Sequence, residues 1–391
     1  MSECGVKEFK LRELLKIYNG TKYDHLNKGD IPLYGSGGLM SHVNEALYSG
    51  EAILLPRKGT LSNIMYVNES FWTVDTMYYA VVNDKLADAF YLYSYLSQLD
   101  LSNLDSGSTL PSMTKSAYES IVVKLPDLKI QKAVATILFN IRKKLEINNQ
   151  INQELEAMAK TLYDYWFVQF DFPDQNGNPY KSSGGKMVYH PELKREIPEG
   201  WGVAKVEDIA QTGSGGTPKS TNVSYYSNGE IPWINSGELE QTVITSTSNF
   251  ITEEGLNNSS AKLFPSGTIL VAMYGATAGK VSFLTFEAST NQAICAIMLN
   301  DIRMRYYLKN VIEDLYQYLV KLSTGSARDN LSQDMIKNIK VVIPSNDILD
   351  RYYDFSNNII KEITKKQQEN EQLTQLRDWL LLMLMNGQVK V

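Results

Sequence analysis

Along the chain, the alternation of apolar and polar positions has two textures, and each occurs twice. Over residues 1–126 and 201–345, short β-branched or aromatic runs alternate with glycine-containing turns. Ala52–Leu55 and Tyr78–Val82 in the first stretch, with Thr268–Met273 and Ile294–Leu299 in the second, have the length and composition of strands. Ala89–Gln98 and Arg305–Leu319 interrupt them with short helical patterns. After Pro126 and again after Pro344 the period changes to that of a long helix. Val134, Leu138, Ile141, Leu145, Asn148, Asn152, Leu155, Ala159, Leu162 and Trp166 are spaced alternately by four and three, with no Gly or Pro between them. That is a heptad seam. Adding 218 to each number gives a second, less apolar seam: Tyr352, Ser356, Ile359, Ile363, Lys366, Asn370, Leu373, Arg377, Leu380 and Leu384.

The textures recur because the sequence is internally duplicated. GDIPLYGSGGL at 29–39 lies against GEIPWINSGEL at 229–239, sharing Gly, Ile-Pro, Ser-Gly and Leu. TVDTMYYAVVND (73–84) lies against TNQAICAIMLND (290–301), and SGSTLPSMTKSAYESIVVKLP (106–126) against TGSARDNLSQDMIKNIKVVIP (324–344). A collinear series of this kind marks a repeat. The offset grows from 200 to 217 along it, so the second copy carries about 17 extra residues within 241–265. Rich in Ser, Thr and Asn, they read as a surface loop or an added hairpin.

Both seams have a polar centre, Asn148 and Asn152 in one and Lys366 and Asn370 in the other. In an antiparallel pair these layers meet, which costs stability and fixes register. The prediction is an intramolecular antiparallel coiled coil with those four residues facing one another, a homodimeric coil being the competing reading. At 1.5 Å per residue each seam spans roughly 50 Å. Two similar domains held by such a pair around a pseudo-two-fold axis suit a long, roughly two-fold ligand such as duplex DNA.

Charge and composition mostly exclude. The net charge is −6, with 11 basic against 14 acidic groups in residues 1–125 and 11 against 13 in 201–345, so no domain announces nucleic acid by a basic excess. Two cysteines, Cys4 and Cys295, make neither a disulfide framework nor a four-thiolate zinc site, and three scattered histidines give no catalytic zinc or Ser/His/Asp set. The amino terminus lacks the apolar core of a signal peptide and the apolar run Leu380–Met385 is far below a membrane span, so the expectation is a reduced, cytoplasmic chain with no membrane partner. Gly275–Lys280 resembles a phosphate loop but is one residue short, and Val281 stands where Ser or Thr would ligate Mg²⁺. Asn178-Pro179-Tyr180 lacks the second proline of a base-flipping adenine methyltransferase motif and reads as a turn.

With the repeat and helices in place, the chain resembles the specificity subunits of Type I restriction-modification systems. The likeness is carried by LYDYWFVQFDFPDQNGNPYKSSGGKMVYHPELKREIPEGW (162–201), by DIAQTGSGGTPKSTNVSYYSNGEIPWINSGEL (208–239), and by Ser323–Pro344. It covers essentially the whole chain. Lys16–Tyr23, KIYNGTKY, departs from the SGGTP-type run found at Ser214–Pro218. The resemblance implies an α+β architecture: a first target-recognition domain (1–126), a first spacer helix (127–170), a central linker (171–200), a second recognition domain (201–345), and a second spacer helix with tail (346–391). It implies a non-catalytic subunit whose domains each read half of a bipartite, asymmetric double-stranded DNA target, while the helices set the gap and dock two methyltransferase (modification) subunits. S-adenosylmethionine belongs to those subunits, and ATP and Mg²⁺ to a restriction (translocase and nuclease) subunit; this chain is expected to bind no cofactor or metal. A duplicated coiled-coil scaffold binding only protein is the alternative, separated from the first reading by binding to cognate against random DNA.

Reading bases takes bidentate amides, guanidinium groups and hydroxyls, and gripping phosphate takes cations and backbone amides. Matched loops of the two copies supply the candidates. Tyr34 and Ser36 stand against Trp233, Asn235 and Ser236; Arg57 and Lys58 against Tyr274, Thr277 and Lys280; Ser108 and Lys115 against Ser326, Arg328 and Asn330. Tyr165, Trp166 and Phe167, where the first seam ends, are candidates for docking a partner or for closing the coil.

Overall fold

The computed structural model describes residues 6–101, 111–275, 277–322 and 331–385, the side chains of 318–322 and 384–385 excepted. Its contacts divide the chain into two compact units, one running to Glu146 and resuming at Glu371, the other Ile147–Asn370.

The first unit is built on a six-stranded sheet in the order Leu15–Asn19, Met77–Val82, Tyr48–Pro56, Met65–Thr73, Lys28–Gly35, Gly38–Val43. Pairing is antiparallel except where Leu33 and Tyr34 run parallel to Trp72 and Thr73. Ala52–Pro56 is buried throughout, as a strand covered on both faces must be. Helix Ala89–Leu96, capped by Asp88, whose Oδ1 accepts from Tyr91 N at 2.9 Å, packs over one face. A separate pair, Lys7–Lys10 with Val122–Leu125, ties the start of the domain to its end.

The second unit repeats the central strand order and the tie. Ala210–Ser214, Ile294–Leu299 and Ile269–Ala272 take the places of the first three strands, and Gly202–Lys205 pairs with Lys340–Ile343 as the tie. The parallel contact is reproduced at the repeat-equivalent residues, Trp233 with Ser289 and Ile234 with Thr290. Other elements differ: the strand that opens at Gly38 gives way to a helical turn at Ser236–Glu238. The counterpart of Met65–Thr73 is broken into Val281–Leu284 and Ala288–Thr290, so the residues form a five-stranded and a four-stranded sheet. The 17 extra residues explain the break and correct the expectation of a loop or hairpin. Val243–Ile244 pairs with Phe283–Leu284, Phe250–Ile251 with Ile231–Pro232, and Leu263–Phe264 with Ala288–Ser289. The segment is therefore woven into both sheets as edge strands.

Long helices cover Leu128–Tyr163, continued by a wider π-helical turn to Val168, and Asn346–Met385. Every described seam side chain is buried or half-buried. In the second unit Asn148 meets Asn370 and Trp166 packs on Tyr352, so the pairing is antiparallel. In the first unit Leu138 shares a core with Leu380 and Leu381. The pairs 148 with 370, 166 with 352 and 138 with 380 each add to 518, one register.

The polar layer differs in detail from the expected foursome. Asn148 Nδ2 donates to Asn370 Oδ1 at 2.9 Å and to Glu369 Oε2 at 3.0 Å, and Asn370 Nδ2 donates to Asn149 Oδ1 at 2.8 Å. Lys366 turns to Glu369, one turn along its own helix, at 3.2 Å. Asn152 is buried, and its Oδ1, like that of Asn148, accepts no hydrogen bond among the described residues. Lysine prefers an acidic neighbour at the seam's edge to an amide at its centre, because its charge keeps more solvent there.

Candidate nucleic-acid interface

The candidate loops of the first unit converge because main-chain hydrogen bonds join them. Met113 N donates to Arg57 O at 2.9 Å and Gly59 N to Pro111 O at 2.9 Å, with Lys58 and Ser112 forming an isolated bridge. Asn63 Nδ2 donates to Ser36 O at 2.9 Å. Residues 34–37, 57–63 and 111–115 therefore form one cluster. Arg57 and Lys58 are exposed on it. Among the described residues Arg57 Nη1 reaches only Asp75 O at 3.4 Å, with its guanidinium 6.0 Å from the Tyr78 ring, which leaves four N–H donors uncommitted there. Lys115 opens helix Lys115–Ser120, which Thr114 caps by accepting from Ala117 N.

The second unit assembles its loops with the same bonds. Leu331 N donates to Met273 O at 2.8 Å, the counterpart of Met113 to Arg57. Thr277 Oγ1 donates to Ser236 O at 2.8 Å, so Ser236 O is bound as Ser36 O is. Tyr274 and Lys280 are exposed at this cluster. Gln333 bridges Thr212 Oγ1 and Ser214 Oγ at 2.9 and 3.0 Å.

Some candidates are occupied by structural work. Thr277 is 7 % exposed with its hydroxyl spent on Ser236, and so supports the loop from beneath. The indole N–H of Trp233 is committed to Gly216 O at 3.0 Å. Tyr34 donates to Glu69 Oε1 at 3.0 Å, and burial together with that carboxylate pushes its phenol up to about 12. Asn235 is half-buried, its Oδ1 3.4 Å from Asn291 Nδ2. Ser108, Ser326, Arg328 and Asn330 lie outside the described residues. Asn63 and Gln333, which hold the clusters together, carry no motif; only the folded register shows them.

The docking candidates need correcting. Trp166 and Phe167 are 8 % and 4 % exposed in the core of the second unit, against Tyr307, Tyr352 and Trp201. Trp166 keeps its seam position against Tyr352, Phe167 is buried beside it, and only Tyr165 stays outside, at 41 %. Tyr165 lines an open groove of about 440 Å³ with Met158, Leu162 and Phe355.

Among the described residues no group of three or more His, Cys, Asp or Glu stands close enough to hold a metal ion, and no helix is long and apolar enough to cross a membrane.

Two copies of one α/β domain, each with a three-loop cluster and each continued by a long helix, define a duplicated recognition protein. The chain belongs to the family described as Type I restriction modification DNA specificity domain, whose model matches residues 3–157 and again 198–375. DNA target recognition is the general role of that family. The chain is 26 % identical over 296 residues to the Type I restriction enzyme MjaIX specificity subunit of Methanocaldococcus jannaschii, a match covering 74 % of this chain and 66 % of that one. It is 26 % identical over 333 residues to the HindI specificity subunit of Haemophilus influenzae, covering 72 % of each. The fold is also that of a Type I restriction-modification S subunit from M. genitalium, with a TM-score of 0.64 at 14 % identity over 98 % of this chain and 97 % of that one.

Proposed function

We propose that this chain is the non-catalytic DNA-specificity subunit of a Type I restriction-modification complex, acting in the cytoplasm. The domains at 1–126 and 201–345 each read one half of a bipartite, asymmetric duplex target. The helices at 127–170 and 346–391 set the gap and dock two methyltransferase subunits, which carry S-adenosylmethionine; a restriction subunit brings ATP and Mg²⁺. The observation that carries this reading is the loop cluster itself. Both copies build it with equivalent main-chain bonds, 113 to 57 and 331 to 273, yet present different exposed side chains, Arg57 and Lys58 in one and Tyr274 and Lys280 in the other. A conserved frame with exchanged side chains is what two readers of different half-sites require.

The docking part is supported by a second repetition. Adding 218 to Met158, Leu162 and Tyr165 gives Leu376, Leu380 and Met383, and subtracting it from Phe355 gives Ile137. Phe355, Met158, Leu376 and Ile137 are all between 42 % and 52 % exposed. The same apolar patch thus occurs in each unit, matching two copies of one partner.

Neither copy has a basic excess, and phosphate neutralisation supplies most non-specific affinity. The isolated chain should therefore bind DNA weakly, its partners adding positive surface. The test is methylome sequencing of cells expressing the chain with its modification subunits. A split motif is expected, and Arg57→Ala should blur one half of it by roughly tenfold per base read. Equal blurring of both halves would sink the two-reader model.

A further inference from the structure

Each exposed loop is held from behind by a tyrosine, and the two tyrosines are not repeat equivalents. In the first unit Tyr118, on helix Lys115–Ser120, is fully buried, and its hydroxyl donates to Pro56 O at 2.8 Å. That carbonyl precedes Arg57. The Tyr118 ring meets Tyr78 edge-on at 6.3 Å, and Tyr78 is the ring nearest the Arg57 guanidinium. The counterpart of Tyr118 is Ile336, which has no group to offer the loop.

In the second unit the contact comes from another element. Gly279 has φ +77°, and a Cβ built there would stand 2.0 Å from Cδ1 of Tyr316, on helix Arg305–Leu322. The ring lies flush against the bare glycine backbone. Gly279 N donates to Ala272 O at 2.8 Å and Lys280 N to Thr277 O at 2.9 Å, so the turn is clamped between strand, Ser236 and ring. The counterpart of Tyr316 is Leu99.

We propose that Tyr118 and Tyr316 are positioning residues for base readout, each fixing the loop of its own domain. This rests on the DNA-reading function proposed above. A bidentate hydrogen bond to a base edge weakens steeply once the donor is displaced or tilted. Arg57 and Lys280 are long side chains on short turns, so their aim depends on backbone that Tyr118 and Tyr316 hold. Because the pins differ, each loop is fixed in its own conformation on a shared frame.

The test uses the chain co-expressed with its modification subunits and reads base preference at each half-site by methylome sequencing. Tyr118→Phe should relax discrimination in the first half-site alone, and Tyr316→Leu in the second alone, by roughly tenfold. Tyr316→Phe keeps the ring and should restore the wild-type motif. Gly279→Ala pushes the same ring away from the other side and should reproduce the loss seen with Tyr316→Leu. In the isolated chain, hydrogen exchange should quicken at Gly279 and Lys280 in Tyr316→Leu and stay unchanged in strand Ile294–Leu299. Full discrimination in Tyr316→Leu and Tyr118→Phe, or equal relaxation of both half-sites, would overturn the assignment. A wild-type chain that directs no split motif would overturn the function beneath it, which the variants alone do not address.

Discussion

In the first unit Tyr18, Tyr48 and Tyr79 lie half-buried over one face of the six-stranded sheet, Tyr18 stacked on Tyr79 at 5.0 Å and Tyr48 tilted against it at 5.4 Å. Burial, then the neighbouring phenols, raise the Tyr79 hydroxyl above its ordinary range. In the second unit the counterparts of Tyr18 and Tyr79 are Gly213 and Ala296. The ring missing from Gly213 comes from elsewhere: Phe264 Cε1 lies 3.0 Å from where its Cβ would be. Phe264 belongs to the extra segment and is 2 % exposed in a core with Leu270, Ile294 and Ala296. The same sheet face needs an aromatic cover in both copies, because a bare strand face wastes apolar area. One copy grows the cover from its own strands and the other imports it on inserted chain. The shared frame and the exchangeable cover respond differently to mutation.

The frame should fail identically in both units, and this is the largest effect expected. A Cβ on Gly20 would stand 2.0 Å from Val74 O, and one on Gly215 2.0 Å from Thr290 O. Thr21 N donates to Thr73 O at 2.9 Å and Gly216 N to Thr290 O at 2.9 Å, so both chains are drawn hard against the neighbouring strand. Backbone oxygen cannot rotate away as a side chain can. Gly20→Ala and Gly215→Ala should each cost about 3 kcal/mol or more, measured by denaturant unfolding. A domain that tolerates alanine at its glycine would break the equivalence.

The cover should fail unequally. Phe264→Ala empties a closed core and should cost about 3 kcal/mol, whereas Tyr18→Ala removes a ring already half in solvent and should cost about 1 kcal/mol. Equal losses would mean that the tyrosine layer is as closed as the imported one.

The same contrast explains how much could be read in advance. Strands such as Ile294–Leu299 and helices such as Ala89–Leu96 announce themselves, because their apolar period repeats in two copies. The seam and its antiparallel register were equally legible, since a polar layer must meet a polar layer. The extra segment was not: its two-residue strands are too short to show a period, and their pairing is decided by the sheet edges they find. For Trp166 and Phe167 the sequence left two readings, docking a partner or closing the coil, and burial against Tyr352 selects the second. The loop clusters were half legible. Aligned glycines marked the turns, but which hydroxyl is exposed and which is spent, as with Thr277, depends on a hydrogen bond between residues 41 apart.

The smallest effect separates two asparagines one turn apart on the seam. In the first unit Val134, Leu138 and Ile141 give the first helix an apolar, buried stretch of seam; in the second that helix's seam opens with Asn148 and Asn152. If the polar layer only cost stability, leucine at both would stabilise. The geometry divides them. Asn148→Leu removes the donor to Asn370 Oδ1 and leaves a buried acceptor unmatched, which should cost about 1 kcal/mol. Both asparagines bury an Oδ1 with no partner among the described residues, but only Asn148 spends its Nδ2 across the helices, so Asn152→Leu removes a penalty without breaking such a bond and should gain about 1 kcal/mol. Denaturant unfolding of the single variants reads both signs. If Asn148→Leu also stabilises, the Asn148–Asn370 bond sets the register without adding stability, and the polar end of the seam differs from the apolar end in specificity alone.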